Sequence, residues 1–477
     1  MPIPPFTCRN PCATLMGIQS SVPEDSLSAP PFYIVTLSHA TWEEAVGCAR
    51  RLPPEAVPEL RLDLFPEYEA PALVLALGRR CLVSCGRIEE GGQWQGTEAE
   101  RIARLLSTLE ARPAWLDLEW DLEVPEAFRL HRTHTRLLRS VHVAEGVFDL
   151  ETRLKDLPEG EAYKWVGVAS HLSDNARLKA PLAWAKDHGI PLSAFLRGPK
   201  GLPSRCLQGA WGGAFTYAAP DDGPPAAPGQ LPYSRMHGWR LHRLHCGCSL
   251  CGVLGDPVLH SLSPAFHNPR FQRNFKDLLY LPLQTGDAEE AREALDSLSV
   301  LGASLTAPLK ESLPALLGLR GPLNTLWRRS PEHPWQGANT DAEALGLALE
   351  KQRRGTVLLL GSGGVAATSR ACLERLGFDC LQVSRRQVPD PAEILAAAPI
   401  GVIQATSLGM EAADPMPFPH ILEETLPTLR WAVEWIYKSD TAFAQWAREH
   451  QIPLVEGADL FQAQAEGQSR RFIEGCG

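Results

Sequence analysis

Between residues 32 and 219 the chain alternates short apolar runs with helix-length stretches. The runs are FYIVTL (32–37), ELRLDLF (59–65), CLVSC (81–85), WLDLEW (115–120), LLRSVHV (137–143), YKWVGVAS (163–170), LSAFLRG (192–198) and AFTYAA (214–219). Segments with helical spacing lie between most of them, such as ATWEEAVGCARRL, TEAERIARLLSTLEA and DNARLKAPLAWAKDHG. Eight strand candidates separated in this way predict an eight-fold α/β barrel, a compact one at about 205 residues. Such barrels build their sites at strand ends, and polar residues stand there: Glu59, Arg61 and Asp63, then His142, Lys164 and, just after a strand, Arg205. Lys164 is the most singular of them. A lysine inside an apolar strand must be paired, reach water or lose its proton. A strand-end lysine reaching water is the commonest case, and proton loss makes an amine nucleophile.

The remaining chain is too long to share that core, since 477 residues predict two or three domains. Residues 1–30 are rich in proline and serine without periodicity, and are expected to form a mobile tail. The start MPIPPFTCRNPC lacks a signal peptide's apolar core, and no run reaches the length of a membrane span. The 12 cysteines then read as reduced thiols of a cytoplasmic protein. A net charge of −10 argues against a nucleic-acid partner. The segment RMHGWRLHRLHCGCSLCG gathers His237, His242, His245, Cys246, Cys248 and Cys251. No second paired-ligand knuckle follows, so a histidine-rich linker is expected there and no metal site.

After the break at DDGPPAAPGQLP a second α/β unit runs through SLCGVLGD, LLYLPLQ and LGASLTAP to GANTD. It is followed by TVLLLGSGGVAATSRACLERLGF, CLQVSRR, GVIQATS and WAVEWIY, the strand, glycine turn, helix and strand that open a doubly wound dinucleotide fold. The expected organisation is a barrel over 31–233, a linker over 234–248 and a substrate domain over 249–345. A nucleotide domain over 346–454 and a C-terminal helix over 455–477, returning to the substrate domain, complete it. Gly361, Ser362, Gly363, Gly364, Val365 and Ala366 sit between strand and helix, where glycines let the backbone approach a pyrophosphate. The next strand ends in Ser384, Arg385 and Arg386, with no acidic residue for a ribose 2′-hydroxyl. Two arginines suit a 2′-phosphate and hence NADP(H); solvated surface arginines are the plainer alternative. Ser261 and Ser263 could bind a small polyhydroxy or carboxylate ligand, or cap the helix after Pro264. Lys310 and Asp341 could relay a proton to a carbonyl oxygen, or form a simple salt bridge.

On GVLGDPVLHSLSPAFHN, LTAPLKE, GPLNTL, GANTD, GSGGVA, VSRR, ATSLGM and EGADLFQAQ, residues 247–477 resemble the shikimate dehydrogenase family. The resemblance implies that Ser261, Ser263, Thr306, Asn324, Asp341 and Gln464 bind shikimate and that Lys310 and Asp341 are the catalytic pair. It makes Tyr437 the tyrosine of a closing loop, and adds Thr406 and Gly457 to the cofactor site. Ser304 replaces a usual asparagine, Glu434 a usual aspartate, and Lys438 and Ser439 stand where a proline is expected. The N-terminal half resembles the Schiff-base class of 3-dehydroquinate dehydratases on ELRLD, EEGG, SVH, YKW, GLPSR, TYAA and APGQ. That implies an imine on Lys164, whose pKa burial among Tyr163, Trp165 and Val166 is expected to lower, and a proton carrier in His142. It further implies orienting roles for Glu59 and Arg61 and substrate contacts for Arg205 and Gln230. The family's arginine before EGG falls on Gly86, so Arg87, one residue later, is expected to bind substrate. Together the resemblances imply a bifunctional enzyme that converts 3-dehydroquinate to 3-dehydroshikimate and reduces it with NADPH to shikimate, as a monomer or weak homo-oligomer. The alternative is an active shikimate or quinate dehydrogenase carrying an impaired barrel as scaffold or binding module.

Overall fold

The computed structural model describes residues 32–411, 413–437 and 439–476; the tail expectation for 1–30 and the departure at Lys438 lie outside the described residues. Eight parallel strands form the first sheet: β1 (Tyr33–Thr36), β2 (Ala56–Arg61), β3 (Leu82–Ser84), β4 (Trp115–Glu119), β5 (Arg136–His142), β6 (Ala162–Val168), β7 (Leu192–Arg197) and β8 (Thr216–Ala218). They follow chain order from β7 down to β1, and β8 pairs with β1. Across the seam the Ala214 N–H donates to the Leu192 carbonyl at 2.8 Å, nearly closing the barrel. All eight runs read from the sequence supply a strand. The second starts earlier than ELRLDLF, at Ala56, and ends at Arg61, where Leu62–Leu64 turns into a 3₁₀ helix.

The two-residue period of the strands sorts their side chains. Outward positions such as Tyr163 and Trp165 pack against the surrounding helices. Inward positions build an apolar floor of Ile34, Val57, Leu82, Trp115, Leu138 and Phe215, among others. One step further along, the same inward faces carry Thr36, Glu59, Ser84, Asp117, Ser140 and Lys164. Lys164 lies opposite Ser140 of β5 and Ser193 of β7. Its apolar neighbours in sequence are therefore on the other side of the sheet or one layer away.

Residues 233–244 are packed rather than loose: Met236, Trp239 and Leu241 are buried in one core with Leu202, Leu207 and Leu281. Five strands follow: β9 (Ser249–Gly255), β10 (Leu278–Gln284), β11 (Val300–Leu305), β12 (Thr325–Trp327) and β13 (Gln336–Ala338), in the order β10-β9-β11-β12-β13 with the last two pairings antiparallel. The third sheet is wholly parallel, with β14 (Thr356–Leu360), β15 (Asp379–Val383), β16 (Gly401–Gln404), β17 (Trp431–Glu434) and β18 (Leu454–Val455) in the order β15-β14-β16-β17-β18. The chain leaves β14 to one side and returns on the other, which creates a crevice at the switch point between β14 and β16. The last helix, Gly457–Gly475, packs back on the helices Ser263–Arg273 and Thr340–Leu349.

Glu434 ends β17, 1% exposed, accepting from Ile436 N–H at 2.9 Å and from the Thr441 hydroxyl at 2.6 Å. Burial pushes its carboxyl up to about 7. A carboxyl raised in the folded state contributes fully below its unfolded pKa and loses that contribution as pH rises through the folded value. Between about pH 4.5 and 7 wild-type stability should therefore fall by about 3 kcal/mol on this account. Glu434→Gln should hold its melting temperature from pH 5 to pH 8 better than wild type. A pH-independent difference between the two would refute the assignment.

Candidate active sites

The polar upper layer of the barrel lines a cavity of about 120 Å³. Lys164 donates from Nζ to Asp117 Oδ2 at 2.7 Å, both nearly buried, and lies 5.0 Å from the centre of the Tyr217 ring. Burial alone would lower its pKa, but Asp117, Glu59 and Glu90 outweigh it and the ammonium is favoured beyond its ordinary range. This corrects the expectation of a depressed pKa: the carboxylates that surround the amine come from β2, β4 and the loop after β3. Glu59 is itself clamped by the hydroxyls of Thr36 (2.6 Å) and Ser84 (3.0 Å). Gln230 joins this network, donating to Thr36 Oγ1 at 3.3 Å.

His142 borders the same cavity, its Nδ1 2.7 Å from Glu90 Oε2. Burial, then the nearby Lys164 charge, holds the imidazole well below its usual range, so it is neutral at pH 7. Burial pushes the Glu90 carboxyl up to about 7. With Nδ1 engaged by Glu90, Nε2 is the nitrogen left for a substrate. Arg61 is held by Asp63, its Nε donating at 2.8 Å. Arg205 is buried under the cavity wall, 4.2 Å from the centre of the Phe195 ring and donating to the Tyr217 carbonyl at 3.2 Å. Burial lowers its pKa to about 10, leaving it charged near neutrality.

Arg87 requires a correction. It falls out of phase with the inward positions Ser84 and Gly86, and its guanidinium is taken by Glu98 at 2.8 Å and Asp121 at 2.9 Å, outside the cavity. Asp117, Glu90 and Arg197 line the cavity and were missed in the sequence. The inward phase shared by Asp117 with Glu119 in WLDLEW could have exposed the first. Arg87→Ala should therefore leave KM for a substrate in the barrel within about twofold of wild type, as loss of exposed ion pairs does. A tenfold rise would place Arg87 in the site after all.

In the second unit Lys310 Nζ donates to Asp341 Oδ2 at 2.6 Å, both partly buried. Asn324 Oδ1 accepts from Thr340 N–H at 2.7 Å, fixing the start of the helix that bears Asp341. Thr306 lies one turn before Lys310, and its carbonyl accepts from Leu309 N–H at 2.8 Å. Tyr437 stacks on Phe461 at 4.5 Å, in the helix that carries Gln464, and burial, then the Asp341 charge, pushes its hydroxyl above the usual range. Ser261 Oγ accepts from Ser263 N–H at 3.2 Å, and Leu262, which precedes the helix Ser263–Arg273, gives it no side-chain cap. Ser304 is buried between the Tyr280 hydroxyl (2.6 Å) and Gln468 (2.8 Å), so protein groups fill the hydrogen bonds of the shorter side chain.

At the switch point Gly361 has a φ of 121°, and a Cβ there would meet the Ala405 carbonyl at 2.6 Å, just before Thr406. Gly363 and Gly364 open the helix Gly364–Arg375 with free space in front of them, flanked by Ser362, Val365 and buried Ala366. Ser384 is buried at the end of β15, and Arg385 and Arg386 are exposed beside it. Gly457 starts the last helix. These residues fit a dinucleotide: an open glycine cradle at a helix N-terminus with cationic groups past the next strand.

The histidine–cysteine segment is dispersed. His237 and His242 stack at 5.1 Å, His245 faces Asp277, and Cys251 is buried in β9. Among the described residues the one grouping with metal-ligand spacing is His39, Cys48 and Asp222, and Arg51 is already bound to that aspartate.

Residues 33–239 match the family model of type I 3-dehydroquinase, and residues 253–319 that of the shikimate dehydrogenase substrate binding domain. The shikimate biosynthesis protein AroDE of Chlamydia muridarum is 27% identical over 402 residues, spanning 78% of this chain and 80% of its own. The dehydroquinate dehydratase and shikimate dehydrogenase AroM of S. pombe is 19% identical, covering 94% of this chain and 96% of its own, with a TM-score of 0.39. The shikimate 5-dehydrogenase of Thermus thermophilus, solved with NADP(H) and shikimate, is 25% identical over 48% of this chain and 94% of its own, with a TM-score of 0.39. A domain of a lyase family followed by a domain of an oxidoreductase family makes this a fused lyase and oxidoreductase. The chain carries a type I 3-dehydroquinase domain in its first half and a shikimate dehydrogenase domain in its second, as a bifunctional enzyme of the shikimate pathway.

Proposed function

We propose that the barrel dehydrates 3-dehydroquinate through an imine on Lys164 and that the second unit reduces the product with NADPH. The observation that supports it most is the cavity in which Lys164, His142 and Arg205 meet. Lys164 must shed a proton before it can attack. Asp117, hydrogen-bonded to the amine at 2.7 Å, is the group placed to receive it, while Glu90 is engaged by His142. The amine then adds to the ketone, water leaves, and a protonated imine draws electrons from the adjacent C–H bond. Neutral His142 takes that proton, with Glu90 steadying the charge it gains, and returns it to the departing hydroxyl. A second water restores the free lysine and releases 3-dehydroshikimate.

In the second unit Lys310 is held by Asp341, aimed as an acid at the carbonyl oxygen of the ring. NADPH, when bound, supplies the hydride. The two arginines after β15 support NADP(H) over NAD(H), because an acidic residue there would repel a 2′-phosphate. We place the protein in the cytoplasm on its buried cysteines Cys48, Cys81, Cys85 and Cys206, which pack as small apolar core residues. No helix among the described residues is long and apolar enough to cross a membrane.

Asp341→Asn should cut NADPH oxidation with 3-dehydroshikimate by about 10²–10⁴-fold, the usual range for lost acid–base catalysis, and leave the dehydratase intact. An unchanged rate would remove Lys310 and Asp341 from the chemistry.

A further inference from the structure

The cavity holds a cation that the site described above does not use. Arg197 closes β7, two residues beyond Phe195 on the same inward face, and lines the cavity with Lys164, His142 and Arg205. Among the described residues its guanidinium has no ion pair, and its Nε is buried without a hydrogen-bond partner. Arg61 and Arg87 differ, the first being held by Asp63 and the second by Glu98 and Asp121, whereas Arg205, like Arg197, has no ion pair among the described residues and donates to the Tyr217 carbonyl. A guanidinium kept at the edge of a cavity without a counter-ion costs free energy, and an anion arriving in the cavity removes that cost.

The glycine turn facing Arg197 explains why this cation comes from β7. A Cβ on Gly91 would meet Arg197 Nη1 at 3.4 Å, so the side chain lies over that turn. Gly92 is folded onto Gly86 so closely that a Cβ on Gly92 would collide with the Gly86 carbonyl. A Cβ on Gly86 would in turn meet the Gly92 Cα at 3.0 Å and Arg61 Nη2 at 3.3 Å. The β3 side of the cavity thus has no room for a long cationic side chain at position 86, and at position 87 it points away. Arg205, stacked on Phe195, and Arg197, two residues past it, then border one wall of the cavity.

We propose that Arg197 binds the carboxylate of the barrel's substrate, paired with Arg205, and so supplies from β7 the contact that positions 86 and 87 do not make. The substrate class is a small hydroxylated ring acid with a ketone within reach of Lys164. The assignment rests on reading the barrel as a 3-dehydroquinate dehydratase, and it makes Arg197 a substrate-binding residue.

The test uses the full-length protein as wild type, Arg197→Met, Arg197→Lys and Arg87→Ala. Dehydratase kinetics are followed by enone absorbance, with reduction of 3-dehydroshikimate as the control for folding. Arg197→Met should raise KM for 3-dehydroquinate at least tenfold, with a smaller loss in kcat. The product inhibition constant should rise in parallel, Arg197→Lys should recover part of the affinity, and Arg87→Ala should resemble wild type. A KM within twofold of wild type in Arg197→Met, or a loss confined to kcat, overturns the proposal. If wild type shows no dehydratase turnover, the reading of the barrel fails, and thermal shift by 3-dehydroquinate decides the separate question. A shift present in wild type and lost in Arg197→Met supports the binding role, whereas no shift in wild type overturns it as well.

Discussion

The barrel depends on a buried ion pair. Lys164 and Asp117, 2.7 Å apart near the centre of eight strands, are each costly to bury alone. Their attraction roughly offsets the desolvation of both, so such a pair adds little stability compared with apolar residues of the same size. Its place at the top of an apolar floor is explained by chemistry. The pair keeps the amine charged and oriented in the resting enzyme, with Glu59 fixed by two hydroxyls behind it and Glu90 beside it. Substrate binding must break this balance, and a proton moving from Lys164 to a neighbouring carboxylate does so without leaving an unpaired charge behind.

The second unit is built into the wall of that barrel. Leu202 and Leu207, just after β7, share one core with Leu250, Leu281 and Leu295. Above that core Glu290 accepts from the Leu172 N–H at 2.9 Å, from Lys200 at 2.7 Å and from the Thr285 hydroxyl at 2.7 Å. Lys179 adds a bond to the Ser297 carbonyl at 2.7 Å. Lys200 stands between Arg197 and Arg205, so the segment that carries both cavity arginines is tied to the dehydrogenase half.

Periodicity made most of the architecture legible. The eight runs of the barrel follow from alternation of apolar strand and amphipathic helix, and Gly361 to Ala366 announce the switch-point crevice by their place after β14. Lys164, His142 and Glu59 stood out because each is polar inside an apolar run. What sequence order hides is the company these residues keep. Asp117 lies 47 positions before Lys164, and Glu90 lies 52 before His142. The direction of the lysine's pKa shift was therefore misjudged from its sequence neighbours, of which Tyr163 and Trp165 face the helices and Val166 lies one layer away. Arg87 and Arg197 show the same limit: both are arginines near a strand end, and a single step in strand phase sends one outward and the other into the cavity.

The most direct test follows NADPH oxidation by the purified full-length protein supplied with 3-dehydroquinate, beside Lys164→Ala supplied with 3-dehydroquinate and, separately, with 3-dehydroshikimate. The account predicts that wild type oxidises NADPH from 3-dehydroquinate, and that the variant does so only from 3-dehydroshikimate. Oxidation from 3-dehydroquinate by the lysine variant at the wild-type rate would contradict it.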